Sequence, residues 1–145
     1  MELNELYTEV ITQYSRSQKH RHPLDNPDIK VQGVNPSCGD DISLELKVNG
    51  GTIKNAAILG SGCAISMASA AIMADLIEGK STAEAERLAA LFLGMIRKTV
   101  TEENELEELE DALAFQNISN MPARVKCAVL AWHTLEEALK KLKVS

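Results

Sequence analysis

Residues 40–60 read DDISLELKVNGGTIKNAAILG, and this stretch limits the fold more than any other. Ile42, Leu44, Leu46 and Val48 alternate with Ser43, Glu45 and Lys47, a period of two that sorts apolar and polar side chains onto opposite faces of a strand. Asn49, Gly50 and Gly51 then tolerate the left-handed backbone of a tight hairpin, and TIKNAAILG returns as a second strand. IKVQGV, from Ile29, is a candidate third strand. The expected sheet is small, three-stranded and antiparallel, and its apolar face needs helices to cover it.

The flanking chain supplies them. Leu3, Leu6, Tyr7, Val10, Ile11 and Tyr14 recur at three- and four-residue steps, one stripe of a first helix. SRSQKHRHPLDNPD follows, polar and punctuated by Pro23 and Pro27, and reads as an exposed connection. From Cys63 to Ile77 the chain is rich in Ala, Ser and Met, which predicts a mostly buried helix. Ser81 with Glu84 makes a capping box opening TAEAERLAALFLGMIRKTV, and TEENELEELEDALAF is expected to be a solvated helix with a short apolar face. A last helix starts near Ala123, with Ala128, Ala131, Leu135, Ala138 and Leu142 as its stripe. Its Lys140, Lys141 and Lys143 suit a negative C-terminal end. Aromatic residues are only 3% of the chain, so small aliphatic side chains must fill the interior, which suits close helix packing. The pattern predicts an α+β fold over 1–145: an N-terminal helix, a three-stranded antiparallel sheet and a helical second half packed on it, in one domain.

Fifteen Lys and Arg against 21 Asp and Glu give a net charge of −6, which disfavours a non-specific binder of nucleic acid or anionic membrane. No apolar run is long enough to span a bilayer, and MELNELYTEV does not resemble a signal peptide, so a cytoplasmic protein with no membrane partner is expected. Three cysteines cannot pair completely within one chain, and a reducing compartment leaves them as thiols, metal ligands or redox groups.

All three cysteines sit where a turn meets a regular element. Cys38, in NPSCGDD, is two residues from Asp40; Cys63, in GSGCAIS, heads a helix whose free N–H groups favour a thiolate; Cys127, in PARVKCAVLAW, lies early in the last helix. Three sulfurs and one oxygen suit a tetrahedral zinc site or an iron-sulfur cluster. The bland alternative is that each cysteine is a small buried apolar residue, and intervals of 25 and 64 positions with no CxxC do not decide between them. His133 lies six positions beyond Cys127, on another face of the helix, which argues against a cysteine hydrolase. His20 and His22 form a His-x-His in a basic loop that could bind metal, and the expected reading is a solvated or partner-facing loop. Met67 and Met73 read as core filler and the acidic run at 102–111 as a solvated face, while GSGCAIS lacks the lysine of a nucleotide loop.

NPSCGD, GSGCAISMASA and ARVKCAVLAW, in this order, resemble the cysteine motifs of the NifU/IscU/SufU family of iron-sulfur cluster assembly proteins, over nearly the whole chain. The resemblance implies a SufE/NifU-like fold and a metal site on Cys38, Asp40, Cys63 and Cys127. IscU-type members carry a histidine directly before the last cysteine and a Leu-Pro-Pro-Val-Lys chaperone motif; here Lys126 and NMPARVK stand in those places. With the longer interval between Cys63 and Cys127, and Arg124, these departures resemble the SufU type. That type implies a zinc-dependent sulfurtransferase-like acceptor that takes persulfide sulfur from a SufS-type cysteine desulfurase and passes it to a downstream Suf cluster scaffold. Cys38 is then the expected acceptor and Arg124 the cation that holds a released thiolate or persulfide. The alternative is a scaffold on which a [2Fe-2S] cluster is itself assembled on the same ligands, and the non-catalytic alternative is a structural zinc module.

Overall fold

A computed structural model describes residues 2–144, with side chains from Thr8 onward. The fold is α+β: a helix, an antiparallel sheet of three strands, then a helical half. Strands β1 (Ile29–Asn35), β2 (Asp40–Asn49) and β3 (Thr52–Ser61) pair in sequence order, with Val31 opposite Leu44 and Leu44 opposite Ile58. The period of two does what the sequence predicts: Ile42, Leu44 and Leu46 are fully buried on one face. The hairpin turn places Gly50 and Gly51 at φ of 60° and 78°, the region open to glycine at little cost.

Helices α1 (Glu2–Ser15), α2 (Ala64–Ile77), α3 (Thr82–Arg97) and α5 (Pro122–Val144) build the rest, with the single turn α4 (Glu103–Leu106) between. Val10, Ile11 and Tyr14 of the expected first stripe pack against the core, whereas the side chains of Leu3, Leu6 and Tyr7 lie outside the described residues. Helix α2 is buried on nearly all sides, Met67 and Met73 included. Ser81 caps α3 by accepting from the Glu84 N–H at 3.0 Å. Three of the few aromatic rings form one cluster: Phe92 of α3 stacks on Trp132 of α5 at 4.2 Å and meets Phe115 edge-on at 6.1 Å. Among the described residues no helix is long and apolar enough to cross a membrane.

Helix α5 reaches the sheet because β1 carries a glycine at the crossing. A Cβ on Gly33 would stand 2.1 Å from Thr134 Oγ1 and 3.3 Å from Leu130 Cδ1. Since α5 also carries Cys127, this close approach sets how near the third cysteine comes to the first.

Two expectations need correction. The acidic stretch is not one solvated α-helix: after α4 it runs as a 3-10 helix over Glu107–Phe115 and another over Ile118–Asn120, interrupted at Glu110, whose φ of 52° is not helical. Leu106, Leu109, Ala112, Phe115 and Ile118 are buried. After the break at Glu110, a step of three stays in line at 3.0 residues per turn and drifts about 60° per step around an α-helix, so the tighter winding keeps Ala112 and Phe115 on the core. Nor is His20 solvated. It is 4% exposed, with Nε2 2.8 Å from Asp75 Oδ1 and Nδ1 3.1 Å from the Ala56 carbonyl, because the connection folds back along the sheet. Leu24 N–H caps Glu45, which is buried although it stood at a polar position of the strand pattern. His22 is exposed, as expected.

Two consequences are measurable. Gly33→Ala should cost about 1–3 kcal/mol in urea unfolding through overpacking, and adding Thr134→Ala should recover most of it. Burial opposes ionisation of Asp75, but hydrogen bonds and charge from Lys19 and His20 outweigh it and hold the carboxyl below its usual range. A depressed carboxyl stabilises the fold above its unfolded value of about 3.9, and this is lost as pH falls through the lower folded value. The destabilisation by Asp75→Asn should therefore be largest near neutral pH and shrink below about pH 4 in thermal melts.

Candidate metal centre

The site is assembled by two turns and one helix. β1 and β2 are joined through residues 36–39, closed by Cys38 N–H to the Asn35 carbonyl at 3.2 Å and Gly39 N–H to the Pro36 carbonyl at 3.3 Å. Gly39 takes a φ of 71°, which lets the chain reverse directly after Cys38. Asp40 then opens β2, 1% exposed. Its Oδ1 accepts the Cys63 N–H at 2.9 Å and its Oδ2 accepts Asn35 Nδ2 at 3.2 Å, so one carboxylate ties the first cysteine turn to the second. Gly62 makes room for that tie, because a Cβ there would stand 2.7 Å from Asp40 Oδ1 and 2.9 Å from Ser66 Oγ.

Cys63 is the N-cap of α2, with its sulfur 3.3 Å from Ser66 Oγ. Cys127, fully buried in the second turn of α5, has its sulfur 3.0 Å from that of Cys38 and 3.8 Å from Asn35 Nδ2. Donor atoms of Cys38, Asp40 and Cys127 all lie within 4.8 Å of one another. Cys63 stands beside this group rather than inside it: its backbone is bound to Asp40, and its thiol interacts with Ser66 and Cys127.

The electrostatics are divided. Burial, then the hydrogen bonds to Cys38 and Cys63 and the nearby negative charge, push the Cys127 thiol well above its usual range. Burial also opposes ionisation of Cys63, but the Ser66 hydroxyl and N–H, helped by Cys127, bring its thiol down. Asp40 is likewise buried, yet Cys63 N–H, Ser66, Asn35 and Cys127 hold its carboxyl below the ordinary value. Asp40 makes no ion pair among the described residues, so a buried carboxylate faces sulfur with no protein cation to offset it. That donor set fits a thiophilic cation such as zinc, or the iron of a cluster.

Other residues singled out in the sequence fall elsewhere. Arg124 is exposed in the first turn of α5, three residues before Cys127, and its guanidinium has no partner among the described residues. Lys126 is exposed, and His133 is exposed beside Glu136 at 3.3 Å. The sequence pattern gives Gly62 only the role of freeing the backbone before Cys63 and gives Asn35 and Ser66 none, although each lies within the quoted cysteine motifs. A donor side chain three residues before Cys38 and three after Cys63 was the available signal.

The model of the NifU-like N terminal domain matches residues 6–144. The chain belongs to this family of iron-sulfur cluster assembly proteins. It is 42% identical over 137 residues to the iron-sulfur cluster assembly scaffold protein IscU of Thermotoga maritima, covering 94% of each chain. It is 37% identical to the zinc-dependent sulfurtransferase SufU of Bacillus subtilis, covering 96% of this chain and 92% of that one. Among solved structures it is similar to a protein of Fervidobacterium islandicum AW-1, described as a putative SUF-system scaffold, with TM-score 0.86, 35% identity and coverage of 94% and 98%. A NifU-like N-terminal protein of Brucella abortus, 18% identical, shares the fold at TM-score 0.85 with coverage of 100% and 99%.

The junction of the two cysteine turns depends on the Asp40 tie, which can be tested directly. Gly62→Ala should displace the carboxylate from the Cys63 N–H. A hydrogen bond to a charged group is worth about 1.5–3 kcal/mol, so that amide should exchange about ten- to a hundredfold faster in hydrogen-exchange measurements.

Proposed function

We propose that this chain is a SufU-type, zinc-dependent sulfur acceptor that works with a SufS-type cysteine desulfurase and delivers sulfur to a downstream cluster scaffold. The observation that carries the reading is the donor set: sulfur and carboxylate meet at Cys38, Asp40 and Cys127, Cys63 stands adjacent, and an exposed lysine occupies position 126. The sulfurtransferase name of the Bacillus subtilis relative supports it. Zinc held by Cys38, Asp40, Cys63 and Cys127 would offset clustered negative charge and keep thiols deprotonated at neutral pH.

Cys38 is the acceptor in this reading. It is half-buried on a turn flanked by Gly39, whereas Cys127 is enclosed in a helix. Its thiolate attacks the outer sulfur of the desulfurase persulfide. A bond forms between Cys38 Sγ and that sulfur, the sulfur–sulfur bond of the desulfurase breaks, and its electron pair leaves on the desulfurase thiolate. The exchange balances without an external oxidant or reductant. Arg124, free at the surface one helical turn before Cys127, supplies the cation for the new anion.

A second reading is favoured by the scaffold name of the Thermotoga maritima relative: a [2Fe-2S] cluster is assembled on the same four residues and passed on as cargo.

Intact-mass measurement after incubation of the zinc-loaded chain with desulfurase and cysteine, without iron, separates the two. A gain of one sulfur atom, removed by thiol reductant and absent in Cys38→Ser, is expected. Arg124→Ala should slow the gain about tenfold or more, the loss of one charge-assisted contact. No gain, with a cluster forming once iron is supplied, would overturn the acceptor reading in favour of the scaffold.

A further inference from the structure

Edge strand β3 runs directly into the turn that presents Cys63, and the connection after α1 is fastened along its open side. The His20 carbonyl accepts Ile58 N–H at 2.7 Å, and Arg21 donates to the Gly60 carbonyl at 2.7 Å. Gly60 is the last residue before Ser61, Gly62 and Cys63, and it is tightly confined: its φ is 101°, and a Cβ would stand 2.2 Å from the Asp41 carbonyl oxygen. Movement of the Gly60 peptide is therefore passed on to the turn.

His20 ties the same strand and helix together further from the turn, at Ala56 before Cys63 and Asp75 in the last turn of α2. One ring nitrogen faces the Ala56 carbonyl of β3 and the other faces Asp75 of α2, so the buried imidazole braces the strand that enters the Cys63 turn against the helix that leaves it. Lys19 adds a second contact to Asp75 at 2.8 Å. Asp40 holds the start of α2 through the Cys63 amide and Ser66. Glu78, just past α2, accepts the Ala56 N–H at 3.0 Å, and His20 and Arg21 add side-chain ties between the connection, β3 and α2.

We propose that His20 and Arg21 are positioning residues for Cys63, setting through β3 and α2 where its sulfur stands relative to Cys38, Asp40 and Cys127. The proposal rests on the reading of Cys63 as a member of the ligand set. Side chains that orient a metal ligand without touching the ion are typically worth about 10–100-fold in affinity.

The test compares Arg21→Ala, Arg21→Lys, His20→Gln and the control Arg16→Ala, whose arginine is exposed on the same connection. Two quantities are read on the full chain: the rate of Cys63 alkylation by iodoacetamide relative to Cys38 in the same molecule, by peptide mass, and zinc affinity by competition with a chromophoric chelator. Arg21→Ala and His20→Gln should raise the Cys63 to Cys38 ratio severalfold and weaken zinc binding about tenfold. Arg21→Lys, which keeps one donor, should recover most of both, and Arg16→Ala should change neither. An unchanged ratio in Arg21→Ala, or both cysteines accelerating together as in general loosening, would overturn the proposal. A raised ratio with zinc affinity intact would support positioning and instead remove Cys63 from the ligands.

Discussion

The hydroxyl of Ser69 is the joint on which the two site-bearing helices meet. Fully buried in α2, it donates to the Ala128 carbonyl at 2.6 Å and accepts from Trp132 Nε1 at 3.0 Å. Cys63 heads α2 and Cys127 precedes Ala128 on α5, so one hydroxyl sets the distance between two cysteines that lie 64 positions apart in the chain. Trp132 extends the joint by stacking on Phe92, which brings α3 into the same block. A buried donor or acceptor left unpaired costs about 1–3 kcal/mol, so this three-way contact also specifies one arrangement of the helices over others that would bury similar apolar area.

On that frame the site concentrates negative and potentially negative groups where water is scarce. Asp40 resolves part of the conflict through N–H donors from Cys63 and Asn35. The sulfurs are treated unequally: burial disfavours ionisation of Cys127, while the hydroxyl and N–H of Ser66 favour that of Cys63. A site arranged in this way suits a cation, and Cys63 and Cys127 differ in their tendency to ionise before any ion enters. Cys38, on a turn rather than in a helix, is the one whose backbone is held by the fewest elements.

Much of the architecture was legible because local rules and tertiary packing agree. The alternation from Ile42 to Val48, the Asn-Gly-Gly turn and the Ser81 cap each act through neighbours in sequence, and each reappears as expected. From Glu103 to Asp111 charged residues outnumber apolar ones, which reads as a solvated helix, while the step of three through Leu106, Leu109, Ala112 and Phe115 is the signal that composition hides. His20 departs from expectation for a different reason. Its partners, Ala56 and Asp75, are 36 and 55 residues away, and nothing near it in the sequence announces a buried acceptor. Within the site, the four candidate ligands were visible as cysteine motifs, whereas Asn35 and Ser66 had no role until the turns were closed.

By itself the sequence determined the sheet, its apolar face, the helices that start at named caps, and the residue types of the site, since each depends on periodicity or on backbone preferences of adjacent residues. Only the tertiary structure decided that Cys38, Asp40 and Cys127 share one small volume with Cys63 at its edge, and that a polar connection becomes a brace between β3 and α2. The physical reason is that these relations depend on how closely surfaces approach. Gly33 beneath Thr134, Gly62 beside Asp40 and Ser69 between two helices set those approaches, and a distance between remote segments follows from packing that no local pattern encodes.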